Sequence, residues 1–429
     1  MTLTSLISGV DPVVARILEG CLEGRELSVE DATRLSEVTG RELLALGLVA
    51  DALRASQAGE LVTYVVNRNV NFTNVCVKTC RFCAFARGVR SEQGYLLPKE
   101  EVVRRALEAE HYGATEVCIQ AGLAPTLDKD DYVSLVRAIR EAAPQLHIHA
   151  FSPEEIRYAA DLGRVPVREL LLELREAGLD TLPGTSAEIL DDRIRKSIAP
   201  TRLSTAEWIE IIETAHELGI RTSATMMFGH VETAADRARH LDTLRSIQKH
   251  TGGFTEFVPL SFVHAESPLF LRGDVPGVTP GPSGHDVLRV YAIARLMLGA
   301  SFKNIQASWV KEGLRMGEQL LSFGVNDLGG TLMNESISTS AGAAHGQLTT
   351  PAALRHAIRS AGRVPAQRGT RYEILRVFSR DGAGDPVEPL DQVVDPDATF
   401  GSYAELVADE RFRYEPRSVT RRRLAVATS

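Results

Sequence analysis

From residue 61 onward, short β-branched or apolar runs alternate with long amphipathic segments. The short runs fall at 62–66, 115–120, 147–151, 179–182, 222–228, 255–262, 304–308 and 325–328, each of a length typical of a buried strand. Helical periodicity fills the intervals at 99–110, 131–142, 206–218, 234–250, 285–298 and 311–323. Strands alternating with helices predict an α/β fold whose parallel sheet closes as a (β/α)8 TIM-type barrel. In such a barrel the chemistry sits on the loops that follow the C-terminal ends of the strands. Ahead of it, residues 1–60 form a helical N-terminal extension. Ser28-x-x-Asp31 and Thr39-x-x-Glu42 resemble capping boxes, and Leu43, Leu44, Leu46 and Ala50 follow with helical spacing. The barrel is assigned to 61–378. Past Ser379 the turn-rich strings Asp381-Gly-Ala-Gly-Asp-Pro and Val394-Asp-Pro-Asp-Ala-Thr predict a partly irregular C-terminal extension over 379–429.

Composition narrows the partners. An apolar content of 44% supports a large core, and a net charge of −8 argues against a nucleic-acid polyanion. The Arg417-Ser-Val-Thr-Arg-Arg-Arg string reads as a solvated basic tail. The N-terminus lacks the charged start and apolar core of a signal peptide. No apolar run approaches the ~20 residues of a membrane span. Cys21 and Cys118 lie in helical and strand patterns and read as core thiols, so the chain is expected in the reducing cytoplasm, with no membrane partner.

The other three cysteines, Cys76, Cys80 and Cys83, share one loop with C-x3-C-x2-C spacing. Three thiolates suit three irons of a [4Fe–4S] cube, one cysteine per iron, leaving one iron open. The alternative is a zinc knuckle, which ordinarily needs four N/S ligands; no histidine stands near. Lys78, Arg81 and Arg87 interleave with the ligands and would offset the charge of an anionic cluster. This spacing resembles the signature of the radical S-adenosylmethionine (SAM) enzymes.

That resemblance implies a [4Fe–4S] cluster and SAM as cofactors. It places Phe82 against the adenine moiety and Gly122 near the methionine amino group, although Ala121 replaces one glycine of the usual pair; Gln120 reads as a polar cofactor ligand or as a strand-end hydrogen bonder. It gives Glu188 to the ribose or amino group of SAM and Arg195 to its carboxylate, with a surface ion pair as the alternative for Arg195. It brings the backbone of Met227 and Gly229 to the adenine. His149, His230, His264 and Glu266 fall at strand ends and are candidates for catalysis or substrate contact; a lone histidine is otherwise commonly structural. The glycine-rich loop at 324–336 offers Asn326, Asp327, Thr331 and Glu335 to a polyol or pyrimidine substrate.

Four longer strings narrow the resemblance further. They are Asn67-Arg-Asn-Val-Asn-Phe-Thr-Asn-Val-Cys, Ala224-Thr-Met-Met-Phe-Gly-His-Val-Glu-Thr, Gly253-Phe-Thr-Glu-Phe-Val-Pro-Leu-Ser-Phe and Asn326-Asp-Leu-Gly-Gly-Thr-Leu-Met-Asn-Glu-Ser-Ile-Ser. Together they resemble the CofH family, the 5-amino-6-(D-ribitylamino)uracil–L-tyrosine 4-hydroxyphenyl transferases of deazaflavin (FO) biosynthesis. The resemblance implies L-tyrosine and the ribitylaminouracil as substrates. It implies 2-iminoacetate, methionine and 5′-deoxyadenosine as co-products. A flavodoxin or ferredoxin would be the reductant, and FO synthase subunit 1 (CofG) the functional partner. Two futalosine-pathway enzymes of menaquinone synthesis, aminofutalosine synthase and dehypoxanthine futalosine cyclase, share the first two strings and form the alternative.

Overall fold

A computed structural model describes residue 7 and residues 9–416, so the basic string that begins at Arg417 and most of the first eight residues lie outside the described residues. Among the described residues the strands are β1 (Leu61–Val65), β2 (Asn67–Val70), β3 (Glu116–Ile119), β4 (His147–Ala150), β5 (Thr181–Leu182), β6 (Arg221–Phe228), β7 (Phe254–Ser261), β8 (Asp327–Gly330), β9 (Val364–Arg368) and β10 (Ile374–Val377). β2 to β7 pair in sequential order as a six-stranded parallel sheet. A second sheet runs β10-β9-β1-β8, with β1 parallel to both neighbours and β10 antiparallel to β9. Parallel bridges Phe257↔Ile305 and Gln306↔Asp327 carry the pairing from β7 to β8. β8 pairs with β1, and Arg68↔Met333 ties the end of that loop to β2, so the hydrogen-bonded circuit closes as a barrel.

The differences from the expected elements have local causes. The expected first strand at 62–66 continues through β2, whose polar Asn67-Arg-Asn string hides a strand. Arg68 is fully buried there, donating to the Arg105 carbonyl and pairing with Glu108. The expected strand at 304–308 is reduced to the two bridges, because the Asn326 side-chain oxygen accepts the Ile305 N–H at 2.9 Å. The expected helix at 311–323 divides into Trp309–Glu312 and Leu314–Leu320 at Gly313, whose φ of +78° is left-handed. The expected strand at 325–328 begins two residues later.

Of three N-terminal helices, Val29–Leu35 and Gly40–Ala58 pack on the outer barrel helices Ala234–Thr251 and Gly284–Leu298, and Pro12–Leu22 packs on the other two N-terminal helices. Arg245 donates to the Leu27 carbonyl and Arg289 to the Val38 carbonyl across that seam. The chain beyond 379 also packs down. Leu390, Phe400, Leu406 and Tyr414 are buried, and the Leu96 N–H donates to the Phe412 carbonyl at 2.8 Å.

Candidate active site

The loops after β2, β3, β4, β5 and β7 enclose an outer cavity of about 260 Å³. Cys76, Cys80 and Cys83 all line it, with Phe82 between them. The cysteine loop is pinned by its backbone: the Cys76 N–H donates to the Arg87 carbonyl at 2.9 Å, and the Arg81 N–H to the Ile198 carbonyl at 2.8 Å. Burial pushes the Cys80 thiol up to about 12 and raises Cys83 as well. Such thiols bind metal as thiolates, the proton being displaced to solvent as the metal binds. Among the described residues no three His, Cys, Asp or Glu side chains converge on a single-ion site. A cube asks for none, since each iron takes its own thiolate. Three thiols on one cavity wall, without a fourth, therefore fit a [4Fe–4S] cluster with one open iron.

Beside the cysteines stands a charged group in which Lys78 and Glu188 were legible in the sequence but Arg202 and Glu154 were not. Arg202 pairs with Glu154 at 3.1 Å and with Glu188, and its guanidinium lies 5.9 Å from the centre of the Phe82 ring. Lys78 adds a second cation on Glu154 at 2.9 Å. Burial opposes ionisation of Glu154, but Arg202 and Lys78 hold its carboxyl below the ordinary range. Glu155 sits alongside. Burial pushes it up to about 7, against hydrogen bonds from Ser152 and from the Ala121 N–H at 2.9 Å.

Behind this cavity, inside the barrel, lies an inner chamber of about 250 Å³. The two share Gln120, Thr185, Thr225, Leu260, Lys311 and Ile337. Its wall is polar for a barrel interior, with Asn69, Asn71, Glu116, His149, Glu256 and Arg368 facing one space. His149 accepts or donates at 2.7 Å to Thr181, and burial lowers its pKa to about 4, so it is a neutral imidazole there. Five of the seven described non-glycine residues with left-handed φ follow barrel strands around these cavities: Phe151, Ser186, Glu188, Leu332 and Asn334. Backbone strain of this kind concentrates where side chains must be aimed.

The structure divides the other candidates. Gly122, Glu188, Gln120 and Met227 line the outer cavity, and Glu335 lines the inner one. Arg195 does not reach the cavity; it donates to the Leu203 carbonyl at 2.8 Å and to the Ala187 carbonyl. The cavity arginine is Arg202, seven residues on. A positive charge after the 192–198 helix was the available signal, but spacing alone favoured the helical residue. Gly229 packs against Pro282, and its N–H donates to Glu232. His230 is buried outside both cavities, bonded to the Met227 carbonyl and the Val231 N–H. His264 lines a third, outer recess with Pro282 and Lys311, while Glu266 is exposed. Asn326, Asp327 and Thr331 line neither cavity. Asn326 bonds Arg295, Asn304 and Ile305; Asp327 is locked to Arg368 at 2.6 Å; Thr331 bonds the Asn67 backbone. Asn326 and Asp327 stand at the start of β8, on the barrel's opposite, structural side, while Thr331, just past the end of β8, ties it to β2. Lys311 and Arg202 are the functional candidates that motif reading did not find.

Residues 70–244 match the Radical SAM superfamily, and residues 251–380 match the CofH/MqnC C-terminal region. The chain is 48% identical over 357 residues to the 5-amino-6-(D-ribitylamino)uracil–L-tyrosine 4-hydroxyphenyl transferase of Methanothermobacter thermautotrophicus, covering 83% of this chain and 96% of that relative. It is 49% identical over 356 residues to the FO synthase of Mycobacterium tuberculosis, covering 83% of this chain and 40% of that longer relative. The crystal structure of a methylornithine synthase superposes with a TM-score of 0.64 at 18% identity, covering 82% of this chain and 97% of the other. With the barrel, the cysteine wall and near-full-length identity at this level in agreement, the chain belongs to the CofH family of radical SAM transferases.

Proposed function

We propose that the chain transfers the 4-hydroxybenzyl group of L-tyrosine to 5-amino-6-(D-ribitylamino)uracil. The observation that carries this reading is a pair of joined cavities, one walled by three cysteines and the other by polar side chains. Cys76, Cys80 and Cys83 would hold three irons of the cluster. Phe82 and the Arg202–Glu188–Glu154 group would hold SAM beside them. When bound, these cofactors supply a 5′-deoxyadenosyl radical that takes a hydrogen from the tyrosine amino group. The protein's share is positioning and exclusion of water. The inner chamber holds the uracil and its ribityl hydroxyls against Asn69, Asn71 and Glu256, while the shared ring keeps the tyrosine between the two. The departing 2-iminoacetate and the benzyl fragment are then separated inside a closed barrel.

The relatives above carry the transferase or FO synthase name, which favours this reading over the futalosine one. We assign a flavodoxin or ferredoxin as electron donor and CofG as the enzyme that takes the product. The described cysteines are all unpaired thiols, in keeping with a reducing cytoplasm, and no described helix is long and apolar enough to cross a membrane. Anaerobic turnover with tyrosine and the ribitylaminouracil, followed by mass spectrometry, tests the proposal. The benzylated uracil should form only with both substrates present, and Cys80→Ala should abolish SAM cleavage. Turnover of a futalosine-type substrate, with none on tyrosine plus the uracil, overturns it.

A further inference from the structure

Four cationic side chains face the two cavities, and three are committed. Lys78 and Arg202 are paired with Glu154, and Arg368 with Asp327. Lys311 has no carboxylate within 4.0 Å and no side-chain hydrogen bond among the described residues. It stands on the short helix Trp309–Glu312, after the Ile305–Gln306 bridges. Among the described residues it is also the one that lines the outer cavity, the inner chamber and the third recess together. We infer that Lys311 is the anchor for the α-carboxylate of the amino-acid substrate.

The argument is one of charge and place. An ammonium held away from water without a counter-ion is costly, and a carboxylate ligand removes that cost while gaining a charge-assisted hydrogen bond. Burial lowers the Lys311 pKa, and the more distant Glu335, Glu312 and Cys83 do not fully offset it. SAM also carries a carboxylate, but the Arg202 and Lys78 cations lie with Glu188 in the outer cavity alone. Lys311 belongs to the ring shared by both cavities, with Leu260 and Ile337, whose apolar surfaces suit a phenol ring. A tyrosine held at its carboxylate there can turn its amino group outward and its benzyl carbon inward. This inference rests on tyrosine being the substrate.

The test compares L-tyrosine with tyramine, which keeps the amine and phenol but lacks the carboxylate. In the reconstituted wild-type enzyme, kcat/KM for 5′-deoxyadenosine formation should favour tyrosine by about 100-fold, the scale of a buried charge pair lost from one side. Lys311→Met should erase that preference, and Lys311→Arg should restore much of it, with iron content and SAM binding as checks that the site is assembled. A Lys311→Met enzyme that still prefers tyrosine, or that loses iron in proportion to its activity, overturns the inference. Product formation by the wild type from tyrosine and the uracil reports separately on the transferase reading.

Discussion

Gly122 lies so close to Val75 that a Cβ built on it would stand 2.3 Å from the Val75 carbonyl oxygen. Its own N–H donates to the Thr73 carbonyl at 2.8 Å. The loop after β3 is thus laid directly on the base of the cysteine loop, with no room for a side chain. Only glycine allows that approach.

Gly122→Ala should therefore push the two loops apart, at a cost of about 1–3 kcal/mol for overpacking against backbone. The expected result is a lower Tm and less iron retained per chain after reconstitution. An alanine variant with unchanged Tm and iron would show that the loops are not mutually supported.

The arginine within the 192–198 helix and the one after it should separate cleanly. Arg202→Met leaves Glu154 and Glu188 facing the cavity without their shared cation, and SAM binding should weaken strongly, by isothermal titration. Arg195→Met removes donors from two buried carbonyls, each costing about 1–3 kcal/mol when unsatisfied. It should lower Tm while the folded fraction binds SAM with wild-type affinity. The reverse pattern would return Arg195 to the cofactor.

Much of this was legible in the sequence, and what was not has specific causes. Alternating patterns revealed the barrel because parallel strands buried on both faces must be apolar. β2 escaped because Asn67 and Arg68 are polar residues held inside the core, Asn67 by Glu116 and Arg68 by Glu108. The thiol loop was legible because its ligands are consecutive in sequence. Arg202 and Lys311 were not, since what distinguishes them is whether a partner stands within reach, a property of the folded chain. Asn326, Asp327 and Thr331 misled for the converse reason: a dense polar string flanking a strand serves barrel closure as readily as ligand binding. For the same reason Asn326→Ala should lower Tm, through Arg295 and Ile305, before it alters substrate coupling.

The C-terminal extension makes a further prediction. Tyr403 accepts a hydrogen bond from Asn74 at 3.2 Å and donates to the Phe85 carbonyl at 3.3 Å, and its ring packs 5.5 Å from that of Phe85. It braces both ends of the cysteine loop. Tyr403→Ala should speed iron loss to a chelator, with little change in the far-ultraviolet spectrum. Iron loss at the wild-type rate would mean that the brace is idle.

Glu256 provides the last prediction, through pH. It is buried in the inner chamber wall, one of its carboxylate oxygens has no hydrogen-bond partner, and burial pushes its pKa from 4.5 to about 7. Arg368 works against that rise, while Asp327 and Glu116 add to it. A carboxyl whose folded pKa is raised binds its proton more tightly in the folded state. Its contribution is fully present below 4.5 and is lost as pH rises through 7. Above pH 7 the buried charge should cost about 3 kcal/mol. His149 and His216, both lowered to about 4 by burial, slope the other way below their ordinary value, so the test is a difference between two proteins. Glu256→Gln keeps the shape without the charge. Its Tm relative to wild type should rise steadily between pH 5 and pH 8, since the wild type alone acquires the buried charge. A Tm difference that does not change with pH would show that Glu256 ionises no differently when folded.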